Sequence, residues 1–151
     1  MALKPDRIEA HTDISFFMNT VAERGGVASV VTGGAGVAMD DANAVVAYAS
    51  AASGALPVGV LMNDVVNIDL TRQHINWYKD EVQVGGKVTL LRQGQVTTNM
   101  VVSGNTPSAG AGAYVGANGL LSTSATNAVK VGTFLGSKDA DGYVKVDINI
   151  T

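Results

Sequence analysis

Histidine is the first residue type to consider for catalysis or metal binding, and this chain has two, His11 and His74. A zinc site needs several ligands that converge at fixed distances, as in the H-x-x-x-H and H-E-x-x-H motifs. The two histidines are far apart in the sequence, and neither lies in such a motif. Because the chain contains no cysteine, disulfides and thiolate metal sites are excluded. We therefore predict no metal site and interpret both histidines as polar residues of a surface or an interface.

Nucleophilic and phosphate-binding motifs are also missing. No serine lies in a G-x-S-x-G motif. Gly34-Ala35-Gly36 and Gly110-Ala111-Gly112 resemble the start of a dinucleotide-binding motif, but Met39 and Val115 occupy the position of its third glycine. Neither stretch follows a strand and opens a helix, which a phosphate site requires. Both are interpreted as loops, and no cofactor is predicted.

The acidic residues suggest two kinds of site, and the sequence supports neither. Asp139-Ala140-Asp141-Gly142 looks like half of a calcium loop, but Ile148 stands where the loop needs a glutamate, so a turn is the ordinary explanation. Paired carboxylates such as Asp40-Asp41 and Asp80-Glu81 occur in glycosidases. Sugar cleavage also needs an aromatic-lined cleft, and aromatic residues make up only 5% of this chain. We predict that the protein is not an enzyme.

The most distinctive surface candidate is Trp77-Tyr78, which precedes the charged stretch Lys79-Asp80-Glu81. Aromatic residues beside charges are typical of protein contacts. A core tryptophan at the end of a strand explains the same pattern equally well, and both alternatives stay open. His74 lies close by in the sequence and joins them as an interface candidate.

The elements that must position these residues are strands. Between residues 82 and 102, short runs rich in β-branched residues are separated by Gly85-Gly86 and by Gln93-Gly94-Gln95. Such runs predict strands, and the glycines between them predict turns. Lys87–Leu91 and Val96–Val102 are therefore expected to be two strands joined at Gly94.

The remaining chain repeats the β pattern. Val144, Val146, Ile148 and Ile150 alternate with polar residues, which predicts a strand with one buried face. Asn118-Gly119 is a strong hairpin signal, because both central positions of a type I′ turn need positive φ. Further strands are expected at Val27–Val31, Asn43–Tyr48, Tyr114-Val115, Leu120–Thr123 and Val131–Leu135. The expected fold is all-β, a single compact β-barrel or β-sandwich of short antiparallel strands.

The N-terminal region differs from this body. Residues 1–12 are polar and carry Pro5, so they are interpreted as an arm. In the stretch from Asp13 to Arg24, four apolar residues have helical spacing, but Ile14–Met18 also fits an edge strand. The extended alternative is favoured because everything that follows is β-like. We predict an extended arm over residues 1–24 and a barrel or sandwich body over residues 25–151.

Composition bounds the class of protein. A chain of 151 residues fits one domain, and 18 glycines with 15% charged residues suit a β fold with tight turns. The net charge of −3 lacks the basic footprint of a nucleic-acid-binding protein. No apolar run approaches the ~18 residues of a membrane span, and the N-terminus has no secretory h-region. We expect a soluble protein that is made in the cytoplasm of its producer.

The sequence also resembles a known family, the decoration or cement proteins of bacteriophage capsids. The similarity covers residues 57–151 and is one of pattern, without a catalytic signature. It rests on Val58–Leu61, Gly85–Val88, Thr106–Gly110, Ala113–Val115, Asn118–Leu121, Val131–Leu135 and Asp141–Val146.

This resemblance implies a structural virion protein on the outer surface of the expanded capsid, where it bridges major capsid protein subunits. It also implies a homo-oligomer, a trimer first and a dimer second, with no direct contact to nucleic acid or membrane. Capsid or subunit contacts are expected at Ile14, Phe16, Phe17, Met18, His74, Trp77 and Tyr78. The alternative is a carbohydrate-binding or adhesin-like β-sandwich module.

Overall fold

The computed structural model describes residues 2–31, 45–64, 81–82 and 87–150, and of residues 63, 64 and 81 only the backbone. Strands dominate this part of the chain, and a single 3-10 turn covers Ala117–Gly119. The all-β prediction is confirmed. The strands are β1 (Ile8–Met18), β2 (Ala22–Glu23), β3 (Val27–Val30), β4 (Val45–Ala47), β5 (Pro57–Asp64), β6 (Glu81–Val82), β7 (Lys87–Thr98), β8 (Gly112–Val115), β9 (Leu121–Ser122), β10 (Lys130–Phe134) and β11 (Val144–Asn149).

Nine of the described strands form one mixed sheet in the order β1-β4-β3-β5-β7-β11-β10-β8-β9, and β2 pairs with β6 separately. Because β1 also pairs with β7, the strands β1, β4, β3, β5 and β7 close into a ring, here called the first barrel. The β7–β11 and β11–β10 pairs are antiparallel, as predicted, whereas β1 and β4 run parallel. A mixed sheet that curls back on β7 therefore replaces a purely antiparallel one.

A second ring forms on the other half of β7. From β7 the ladder continues through β11, β10, β8 and β9. The segment after β7 then meets β9: Leu121 N–H donates to the Met100 carbonyl over 2.8 Å, and Val102 N–H donates to the Leu121 carbonyl over 2.8 Å. These bonds close the second barrel. β7 is thus a member of both rings.

Two hydrophobic cores fill the two barrels, and β3, β5 and β7 form the wall between them. Val88 and Leu90 of β7 point into the first core, whereas Leu91 and Val96 point into the second. The first core contains Met18, Ala22, Ala28, Val46, Val58, Leu61, Val82, Val88 and Leu90. The second core is the larger among the described residues and includes Phe134 together with the predicted buried face of β11, Val144, Val146, Ile148 and Ile150.

Gly94 does not make the predicted turn. β7 runs without interruption from Lys87 to Thr98, so the expectation of two strands joined at Gln93-Gly94-Gln95 is wrong. Gly94 adopts φ +147°, and a Cβ at this position would collide with the Ile8 carbonyl oxygen of β1. The glycine is needed for this close approach of two backbones, which has the same sequence signature as a turn.

The other local predictions agree with the structure where residues are described. Asn118 (φ 56°) and Gly119 (φ 74°) both have positive φ in the hairpin between β8 and β9. The predicted strands at Val27–Val31 and Val131–Leu135 appear as β3 and β10, and β4 covers Val45–Ala47 of the predicted strand Asn43–Tyr48. Residues 13–18, where helix and strand competed, belong to β1. The predicted turn at Gly85-Gly86 lies outside the described residues.

Tyr48 ties the two barrels together. Its hydroxyl donates to the Glu23 carbonyl and accepts from the Gly26 N–H over 3.1 Å. Its ring lies against Gly119 of the second barrel, where a Cβ would come within 2.6 Å of the ring. Burial of the hydroxyl, with a smaller contribution from the Glu23 carboxylate, raises the pKa of Tyr48 above its ordinary value. The tyrosine therefore stays protonated and bridges the first barrel to the hairpin turn.

Candidate functional site

β1 is the element that carries the predicted N-terminal contact residues. Ile14 is 54% exposed, whereas Met18 is 1% exposed and packs in the first core, with Phe16 partly buried against the same core. The reason is a register shift: Asp13 pairs with Leu90 and Phe16 with Val88, so β1 holds one extra residue. The shift turns Phe16 and Met18 inward and Ile14 outward.

Phe17 lies at the rim of the first barrel. It pairs with Val45 of β4 and with Lys87 of β7. The Lys87 ammonium lies 5.6 Å from the centre of the Phe17 ring, within the range of a cation–π contact. Phe17 is partly buried and remains reachable from solvent.

Within the described ranges, the outer edge of β1 has a partner only at its C-terminal end. Its inner edge pairs with β7 from Ile8 to Phe17, but β4 meets β1 only at Phe17 and Met18. No described residue pairs with the outer edge of residues 8–16. Residues 8–12 are also exposed on both faces of the strand. An exposed edge of this kind presents backbone N–H and C=O groups that can pair with another chain.

Charged side chains on and beside β1 form ion pairs and hydrogen bonds with neighbouring residues. Arg7 and Glu9 form an ion pair of 2.6 Å. The Asp13 carboxylate accepts bonds from the Ser15 backbone N–H over 2.8 Å and from the Ser15 hydroxyl over 2.5 Å, and Arg92 lies 3.9 Å away. Partial burial acts to raise the pKa of Asp13, but the Ser15 bonds and the Arg92 charge outweigh it, so that the pKa lies below its ordinary value. These contacts fix the strand's side chains without providing a reactive group.

The remaining predicted residues are not brought together by the described structure. His74, Trp77 and Tyr78 lie outside the described residues, as does the loop at residues 34–36. His11 is exposed on β1 opposite Gln93. The described ranges contain no group of three or more histidine, aspartate or glutamate side chains arranged to hold a metal ion.

The Asp139 turn has an explanation within the chain itself. The Asp139 carboxylate accepts the backbone N–H groups of Asp141 and Tyr143, each over 2.9 Å. Gly142 has φ +84°, as turns of this kind require. Asp139 thus stabilises the connection between β10 and β11.

An apolar groove was not predicted from the sequence. Val30, Leu56 and Val129 are exposed and line it together, although they come from three separate parts of the chain. Val30 lies within a predicted strand and Val129 close to another, where an apolar residue is ordinary, and Leu56 belongs to no motif. Only the long-range pairing of the two barrels brings them together.

The part of the chain that the structure describes contains no helix with the length and apolar character needed to cross a bilayer.

Comparison with protein families gives a match over residues 7–149 to a family described as "Structural cement protein (E217 gp24/Pam3 gp6)". No curated protein matches the chain. The matched range includes all of β1 to β11, so it covers both barrels. The chain therefore belongs to the family of phage structural cement proteins, which gives it a structural role in the virion, in association with the capsid that it stabilises.

Proposed function

We propose that this protein binds the outer surface of the expanded phage capsid and stabilises it by bridging neighbouring major capsid protein subunits. The observation that carries the proposal is β1, a long strand of the first barrel whose residues 8–12 are exposed and whose outer edge at residues 8–16 pairs with none of the described residues. An extended segment of a partner can add to such an edge, where main-chain hydrogen bonds give affinity and side chains give specificity.

Some residues of β1 would contact the capsid, and others would hold the strand in place. Exposed Ile14 supplies an apolar contact, and Phe17 with Lys87 lies at the rim of the same strand. Phe16 and Met18 anchor the strand from inside, because they pack in the first core. His74, Trp77 and Tyr78 are proposed as further contacts.

Each contact with the capsid can be weak, because the shell repeats the same binding site many times. A shell presents many equivalent sites, and a homo-oligomer, a trimer first and a dimer second, would engage several of them at once. The protein would be made in the host cytoplasm and join the shell after expansion. Catalysis has no part in this proposal.

The direct test is to mix the purified protein with expanded capsids of the source phage that lack it, pellet the shells and count the bound copies. Saturable binding at a copy number that matches symmetry-related sites is expected. A folded protein that does not pellet with the shells would overturn the proposal, and a glycan array would then test the carbohydrate-binding alternative.

The contribution of β1 is tested by Ile14→Asp. An isoleucine side chain that becomes buried at the interface contributes about 1.5–3 kcal/mol to the binding free energy, so binding should weaken roughly ten- to a hundredfold. The matched control is Val21→Asp, since Val21 is 55% exposed outside the strands. Substitution is preferable to deletion of the arm, because Ala2 and Leu3 are buried and Leu3 bridges to Thr98. If both variants bound the shells equally well, Ile14 of β1 would not lie in the interface.

A further inference from the structure

The apolar groove lies where two strands of the second barrel separate. The ladder between β10 and β11 ends at the Gly132–Ile148 pair, while both strands continue beyond it, to Lys130 and to Asn149. The exposed side chains of Val30, Leu56 and Val129 line the groove that opens there, together with the buried residues Ala55, Val58 and Ile150. The result is a largely apolar groove beside the end of the β10–β11 ladder.

One cation stands among these apolar side chains. Lys130 lines the groove, and it also lines an adjoining depression with Asp147 and Asn149. None of the described salt bridges or hydrogen bonds involves the Lys130 ammonium. A cation without a partner beside apolar surface is complementary to an apolar ligand that carries a carboxylate.

We propose that this groove binds an extended apolar segment bearing a carboxylate, contributed by a capsid shell subunit. This inference rests on the proposed capsid-binding function and assigns it a second contact. The β10–β11 ladder ends beside the groove while both strands continue, which suits an extended segment. The exposed valines and leucine suit its apolar side chains, and Lys130 suits its carboxylate.

A shell subunit fits better than the described part of a second copy of this chain. Within the described ranges both ends of the chain are tied down, since Leu3 bridges to Thr98 and the Ile150 N–H donates to the Arg92 carbonyl over 2.8 Å. The longest exposed strand, β1, already pairs with β7 along one edge. The described part of a neighbouring copy therefore offers no unattached extended segment to fill the groove.

The groove and β1 open on contiguous surface. Asn149 lines the groove and also a depression that includes Ile8 at the start of β1. A copy seated with this side against the shell would bring both contacts to it at once. Two separate attachments on one copy are what bridging of neighbouring subunits requires.

The test compares substitutions of equal character inside and outside the groove. Val129→Ser removes an apolar contact from a residue that is 45% exposed, and Leu135→Ser does the same at a residue that is 41% exposed and lies outside the groove. Binding of each variant to expanded shells that lack the protein is measured by pelleting, and its mass by analytical ultracentrifugation. We expect roughly tenfold weaker binding for Val129→Ser and unchanged binding for Leu135→Ser.

Charge is tested separately. Lys130→Glu should weaken shell binding more than Val129→Ser does, because it places a like charge opposite the carboxylate. Lys138→Glu makes the same change of charge in the β10–β11 connection, outside the groove, and should bind like the wild type. Circular dichroism verifies that all four variants are folded.

The outcomes separate the two proposals. If the wild type binds shells and the groove variants bind equally well, the groove inference is wrong and the capsid-binding function stands. If the wild type itself does not bind, the function fails. If Val129→Ser or Lys130→Glu lowers the mass of the free protein's oligomer, the groove joins copies of this chain, which also overturns the inference.

Discussion

In the second barrel the ladder between β7 and β11 runs from Thr98–Val144 to Gln93–Asn149 without a register shift. In the first barrel the ladders that β7 forms with β1 and β5 are both shifted, and so is the ladder between β3 and β5. The same strand is thus regular on one side of the molecule and irregular on the other. Regular pairing lets side chains alternate strictly between core and solvent, whereas each shift redirects them.

The two barrels also differ in where they place their apolar residues. The second barrel buries Phe134 and the whole apolar face of β11 in the larger described core. The first barrel turns apolar residues of β1 to the surface at Ile8 and Ile14. Under the proposed function, the second barrel supplies stability, and the first barrel presents β1 for contact at the cost of regular pairing along β7. The experiments that follow perturb the second barrel, then the approach of β1 to β7, and finally the junction.

Phe134→Ala should produce the largest loss, because the side chain is fully buried in the second core. Truncation of a buried phenylalanine costs about 3–5 kcal/mol of unfolding free energy. Urea unfolding followed by circular dichroism measures it. Leu135→Ala, at the exposed neighbouring position, should stay within about 0.5 kcal/mol of the wild type. A loss below about 1 kcal/mol for Phe134→Ala would show that the second core is not the main source of stability.

Gly94→Ala should separate β1 from β7. The new Cβ meets the Ile8 carbonyl, and the φ of +147° is strained for alanine, so we expect a loss of about 2–4 kcal/mol. Hydrogen exchange should show reduced protection of the β1 amides, with β10 and β11 far less affected.

The matched control for this change is Gly104→Ala. Gly104 also has positive φ, but no atom lies within 4 Å of a Cβ there, so only backbone strain of about 1 kcal/mol is expected. Equal losses for the two variants would mean that the approach of β1 to β7 does not depend on Gly94.

Tyr48→Phe should have the smallest effect, about 1 kcal/mol, since it removes the hydroxyl that joins Glu23 and Gly26. The effect should depend on pH. Tyr48 has a raised pKa in the folded protein, so its contribution is fully present below the ordinary tyrosine value of about 10 and declines as the unfolded chain ionises above it. Urea unfolding of both proteins at increasing pH tests this. A gap between wild type and variant that does not narrow above pH 10 would contradict the assignment.

Local sequence patterns predicted what depends on neighbours in the chain. The strict alternation from Val144 to Ile150 fixes the buried face of β11, and Asn118-Gly119 fixes a hairpin, because both follow from short-range geometry. Gly94 could not be interpreted correctly, since a glycine that admits a neighbouring backbone looks like a glycine in a turn. Closure of the two rings could not be predicted either, because it depends on pairings between residues that are distant in the sequence, such as Ile8–Gln95.

The sequence located the candidate contact residues of β1 but not which of them are exposed. Ile14, Phe16 and Met18 are spaced two apart, so a regular strand would place them on one face. The extra residue in β1 puts only Ile14 outside, and a register shift of this kind leaves no local signal. The groove at Val30, Leu56 and Val129 has no signal at all, because its members meet only after both barrels have formed.

The uninterrupted β7 backbone has a mechanical consequence. Hydrogen bonds of an antiparallel ladder lie perpendicular to the strands, so tension applied along β1 loads the rungs of its ladder with β7 together, in shear. The covalent chain of β7 then carries that load through Gly94 into the rungs shared with β11. A force that enters at β1 is therefore shared by two ladders, one in each barrel, instead of peeling one strand away.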